Sequence, residues 1–115
     1  MRRGDIRIVD LDPTRGAEAA KFRPAVIVSN DGANMTAARL RRGVVTVVPV
    51  TSNITRLYPF QVLLGASETG LERDSKAQAE QVRSIAVERL GRRIGAVPPG
   101  LMAKLDEALR LHLAL

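Results

Sequence analysis

A chain of 115 residues and 12.5 kDa with no cysteine cannot use disulfides, thiolate metal ligands or a thiol nucleophile, and one histidine, His112 near the far end, cannot anchor a histidine-based triad. It is long enough to bury roughly 60–70% of its unfolded surface without staples. Eighteen Lys and Arg against twelve Asp and Glu leave +6, and residues 1–56 carry ten basic and five acidic groups where residues 57–115 carry eight and seven, so the positive field lies mostly in the N-terminal half and attracts polyanions.

Phe22, Tyr58 and Phe60 are the only aromatic residues. So few rings argue against an RNA-binding sheet paved with stacking platforms and against a peptide-binding aromatic groove, and any nucleic acid is expected to be held mainly by charge and hydrogen bonds. Nothing approaches the ~18 consecutive apolar residues of a membrane span, and the start Met1-Arg2-Arg3-Gly4-Asp5 has no apolar stretch behind it, so the expected compartment is the cytoplasm. No repeat, linker or low-complexity segment divides the chain, which predicts one domain over residues 1–115.

In chain order, Ile6 and Ile8 alternating with Arg7 predict a half-buried first strand over residues 5–11, ended by Asp12-Pro13. Residues 13–22 are small and charged and predict a long mobile loop. Pro24 biases Arg23 towards extended backbone and opens a second, fully buried strand over residues 24–29. Asn30-Asp31-Gly32 predicts a turn, residues 33–42 a short helix or ordered excursion carrying Arg39, Arg41 and Arg42, and Gly43 its end. Residues 44–50 predict a third buried strand and residues 59–64 a fourth, joined through Thr51-Ser52-Asn53 and the following loop. Residues 76–85 read as extended, passing into a helical turn at 87–90, and residues 94–97 as a last short strand. After Pro98-Pro99-Gly100, the spacing of Leu101, Leu105, Ala108, Leu109 and His112 predicts an amphipathic C-terminal helix with His112 on its packed face. The expected fold is mainly β with helices, a small, strongly curved barrel-like sheet.

Six motifs occur in one order: Arg3-Gly4-Asp5, Asp12-Pro13-Thr14-Arg15-Gly16-Ala17-Glu18, Arg23-Pro24-Ala25-Val26, Val48-Pro49-Val50-Thr51-Ser52, Tyr58-Pro59-Phe60 and Gln81-Val82-Arg83-Ser84-Ile85. Together they resemble the MazF/PemK (Kid) family of toxin ribonucleases over nearly the whole chain. The resemblance implies an SH3-like plasmid-maintenance-toxin barrel of the CcdB/Kid/MazF kind with a C-terminal α-helix, acting as a homodimer. It implies a sequence-specific endoribonuclease that cleaves single-stranded RNA, mRNA above all, without metal or cofactor. The 2′-OH attacks to leave a 2′,3′-cyclic phosphate and a 5′-OH, and a cognate MazE-like antitoxin covers the groove.

The residues and the resemblance meet at the first two site positions. A guanidinium can bind two phosphoryl oxygens of the transition state, and the family's arginine before proline matches Arg23; its hydroxyl after the third strand matches Thr51, a hydrogen-bond donor but a poor base. In the Kid branch the proposed base and acid match Glu80 and Gln78; Gln78 cannot give a catalytic proton, so Glu80 stays as the candidate base and Arg23 or water protonates the leaving oxygen. Glu18, Lys21, Ser52, Asn53, Gln81 and Arg83 are the candidate RNA-binding residues, with Glu18 suited to reading a base edge.

Each has a plainer reading: a solvated or ion-paired Arg23, turn-forming Thr51, Ser52 and Asn53, solvated loop charges at Glu18 and Lys21, and a Glu80–Arg83 ion pair. Arg39, Arg41 and Arg42 read equally as a phosphate patch or a solvated helix end. Tyr58 and Phe60 are expected in the core or a dimer contact. A gyrase-poisoning toxin of the CcdB kind needs a tryptophan in its tail, which this chain lacks. A non-catalytic RNA-binding module is the remaining alternative.

Overall fold

The computed structural model describes residues 1–12, 15–18 and 22–115. Among them are strands β1 (Asp5–Asp10), β2 (Phe22–Ile27), β3 (Val44–Thr51), β4 (Gln61–Leu64), β5 (Ser75–Gln78), β6 (Arg83–Ala86) and β7 (Leu90–Ala96), and helices α1 (Asp31–Leu40), α2 (Ala66–Thr69) and α3 (Pro99–Leu113). The strands form one antiparallel sheet in the order β4-β5-β3-β2-β1-β7, with β6 beside the other half of β3. The mainly-β fold with a C-terminal helix therefore stands as the sequence predicts.

Side-chain alternation explains why the central strands read as unbroken apolar runs: both faces are covered. Ile6, Val26, Val48 and Val50 face one core with Leu105 and Ala108 of α3, while Val9, Ala25, Ile27, Val45 and Val47 face another with Ala37 of α1. Arg3-Gly4-Asp5 staples these layers. Gly4, at φ +96°, donates to the Ile27 carbonyl at 2.7 Å and accepts from Val97 N–H at 2.9 Å. Arg3 pairs with Asp106 of α3 at 2.5 Å, and its N–H donates to Asp31 at the start of α1 at 2.6 Å. Asp5 accepts from the Arg2 N–H at 2.9 Å and from Arg93 of β7 at 3.1 Å.

The departures from expectation have local causes. Asn30 begins a helix rather than a turn, because its side chain accepts from Ala33 N–H at 2.8 Å and caps α1. The left-handed exit of α1 begins at Arg41, φ 52°, two residues before Gly43, which is itself at φ +100°. The single extended segment expected over residues 76–85 is two strands separated by a 3₁₀ turn, Ala79–Gln81. β3 pairs with β6 through Val44–Val47 and with β5 through Val50 and Thr51, and the gap opposite Val48 and Pro49 takes up the turn; Pro49 has no N–H for either neighbour. β7 begins at Leu90, four residues before the expected 94, since a strand paired only with β1 tolerates the outward charges of Arg92 and Arg93.

Candidate active site

An open cleft of about 640 Å³ lies between the ends of β1, β2 and β3, the strand β7 and the segment after α2. Arg23 and Pro24 enter it from β2, Thr51 and Ser52 from the end of β3, and Ile8 from β1. Pro24 keeps Arg23 extended, in register with Val9, and the arginine is half-buried. Thr51 Oγ1 accepts from the Asn53 N–H at 3.2 Å, and Asn53 Oδ1 from the Thr55 N–H at 3.3 Å. The turn-forming reading of these residues is thus realised, and it leaves the Thr51 hydroxyl proton available to the cleft. Arg23, Thr51 and Ser52, distant in sequence, are brought together; Asn53 shapes the turn and does not line the cleft.

The opposite wall is built by close backbone approach. Gly70, at φ +87°, sits where a β-carbon would lie 3.1 Å from the Ile94 carbonyl oxygen, and a β-carbon on Gly95 would lie 2.0 Å from that of Thr69. Only glycines let the segment after α2 lie flat against β7. Leu71 anchors that segment in the core, and Asp74 fixes it by accepting from Ala66 N–H at 2.8 Å. Glu72 and Arg73 then line the cleft with Arg92 of β7. Among the described residues, three guanidiniums, Arg23, Arg73 and Arg92, against one carboxylate, Glu72, leave the cleft at +2. Arg73 and Arg92 are additions to the expected site. In sequence they belong to charge runs, and the glycine contacts bring the two segments that carry them together at the cleft wall, where both side chains remain exposed.

The other expected residues lie elsewhere. Glu80 accepts from Gln61 Nε2 at 2.8 Å; among the described residues its second oxygen is buried without a partner, as is Gln78 Oε1, and Glu80 neither lines the cleft nor pairs with Arg83. Gln81 donates to the Ala17 carbonyl at 2.9 Å and Arg83 to that of Leu11 at 3.3 Å, so both brace the β1 exit. Glu18 is exposed and closes a local turn, accepting from the Arg15 N–H at 2.7 Å. Lys21 lies outside the described residues, as do Pro13, Thr14, Ala19 and Ala20 of the expected loop. Arg39, Arg41 and Arg42 are exposed and none lines the cleft. Tyr58, exposed, and Phe60, half-buried, stack at 5.4 Å outside the two core clusters, and His112, expected in the packed face of α3, is exposed with its ring 6.3 Å from Phe60.

A curved antiparallel sheet that presents a guanidinium and two hydroxyls in a cationic cleft is the architecture of a phosphodiester-handling toxin barrel. Residues 2–113 match the family described as PemK-like, MazF-like toxin of type II toxin-antitoxin system, and the chain belongs to it. It is 69% identical over its whole length to "Endoribonuclease MazF9" of Mycobacterium tuberculosis, covering 98% of that protein. It is 34% identical to "Endoribonuclease EndoA" of Bacillus subtilis, again over all of this chain and 96% of the relative. Among solved structures, a mycobacterial endoribonuclease in complex with its cognate antitoxin superposes with a TM-score of 0.79 at 28% identity, covering all of this chain and 96% of that one. MazF from Deinococcus radiodurans shares the fold, with a TM-score of 0.82 at 24% identity over all of this chain and 97% of that one. Among the described residues no helix is long and apolar enough to cross a membrane.

Proposed function

We propose that this chain, acting as a single domain, is a sequence-specific endoribonuclease toxin that cleaves single-stranded RNA and is neutralised by a cognate antitoxin occupying the same cleft. The observation that carries this is the convergence of Arg23, Thr51 and Ser52 in one cleft of net positive charge. A ribose 2′-OH attacks the adjacent phosphorus, charge builds on the two non-bridging phosphoryl oxygens, and Arg23 holds both while Thr51 donates a further hydrogen bond to one of them. Water takes the 2′-OH proton and returns one to O5′ as the P–O5′ bond breaks, leaving a 2′,3′-cyclic phosphate and a 5′-OH without metal or cofactor. Arg73 and Arg92 hold flanking phosphates.

The position of Glu80 favours a role in fixing Gln61 over that of general base. The same reading includes a cytoplasmic homodimer, supported by an exposed apolar groove between β4 and α3 that Leu57, Leu63 and Leu111 line. Sedimentation at micromolar concentration tests it: a monomer there would remove the second copy.

The decisive experiment incubates the protein with a long single-stranded RNA in a chelator, beside an Arg23→Ala control, and maps every new 5′ end. Discrete cuts that vanish in the control are expected. RNA binding without any cut would replace the enzyme by a binding module.

A further inference from the structure

Next to the cleft is a second hollow of about 500 Å³ over β1 and β7. Ile8 lines both, so the two form one continuous surface, and Phe22 stands over the second, one residue before Arg23. Phe22 is 73% exposed, an apolar ring left in water at the edge of a strand whose later residues are fully buried. The floor is kept open by Gly91, where a β-carbon would lie 3.0 Å from the Ile8 carbonyl oxygen.

The charge of this hollow differs from that of the cleft. Asp10 and Glu88 line it. Among the described residues the one guanidinium there, Arg89, is turned onto the carbonyls of Asp10 and Asp12. Two carboxylates repel a phosphate but accept hydrogen bonds from the N–H groups of a base. An exposed ring, an open floor and an acidic rim beside a cationic cleft therefore fit a nucleobase whose own phosphate lies in the cleft.

We infer that Phe22, Asp10 and Glu88 form a nucleobase subsite for a nucleotide flanking the scissile phosphate, in which the base stacks on Phe22 and turns an amino-bearing edge to the carboxylates. This rests on the RNA-cleaving reading and adds its specificity: adenine, cytosine or guanine over uracil, whose carbonyls would face the acidic rim. Among the few aromatic residues, Phe22 is thus the one that meets RNA.

The test uses a short RNA carrying a mapped cut sequence, made uncleavable by a 2′-deoxyribose at the cut, with 2-aminopurine at each flanking position in turn. Stacking on the wild-type protein should quench fluorescence at one position. Phe22→Ala should abolish that quench, raise Kd about five- to a hundredfold and relax cleavage preference at that position alone, with Phe22→Trp restoring all three. Absence of quenching at every position, or quenching unchanged in Phe22→Ala, would overturn the subsite while leaving the nuclease intact. A protein that cuts no RNA would instead overturn the functional reading itself.

Discussion

Arg23 combines three properties that a surface arginine lacks: a proline-fixed backbone, partial burial and a hydroxyl-bearing turn across the cleft. Removing a preorganised donor to a transition-state oxyanion costs about 10²–10³ in kcat. Arg23→Ala is expected to lose at least that with little change in Tm, and Arg23→Lys to recover only part, since an ammonium cannot make the two-pronged contact; single-turnover cleavage of a defined RNA measures both. Glu80→Gln is expected to lower Tm while keeping the acidic limb of the pH–rate profile, and disappearance of that limb would restore Glu80 as the base. Arg23, Thr51 and Ser52 were legible because each adjoins an apolar run that announces a strand end. The bracing contacts of Glu80, Gln81 and Arg83 were not, because they join segments distant in sequence and nothing local announces them.

β7 and the segment after α2 make the cleft wall only because glycines let them touch. Gly95→Ala would drive a β-carbon into the Thr69 carbonyl, 2.0 Å away. We expect a loss of about 1–3 kcal/mol in denaturant melts, together with a higher KM as Arg73 and Arg92 are displaced. Beside the same end of β7, where Asp5 pairs with Ala96, burial pushes the Asp5 carboxyl up, but the Arg2 N–H, the Arg93 guanidinium and the N-terminal ammonium outweigh it and hold its pKa below the ordinary value. A depressed folded pKa stabilises above the unfolded value, about 3.9, and that contribution is lost as pH falls through the folded one. Asp5→Asn should therefore lower Tm at neutral pH and narrow its gap from the wild type below about pH 4, as thermal melts across pH would show. These elements were harder to read than the buried strands. A short 3₁₀ turn and an edge strand bearing Arg92 and Arg93 carry no apolar period, whereas β2 and β3, covered on both faces, are nearly continuous apolar runs.

For the molecule as a whole, +6 speeds encounter with any polyanion, and the cleft decides where that polyanion is held. Each phosphate contact on a single strand contributes about 0.7 to the slope of log K against log salt. Arg73→Gln with Arg92→Gln should therefore lower the RNA-binding slope by about 1.4 and raise KM more than it lowers kcat, and an unchanged slope would place both side chains off the RNA path. The sequence by itself determined the mainly-β class, the C-terminal helix, the family and the Arg23–Thr51 pair, because these depend on residue order and on apolar patterning along one segment. Only the tertiary structure decided which charges share the cleft, that Glu80 turns to Gln61, and that Phe22 overlooks a hollow joined to the cleft through Ile8. Those facts depend on which distant strands lie side by side, and pairing between segments leaves no local signature in the chain.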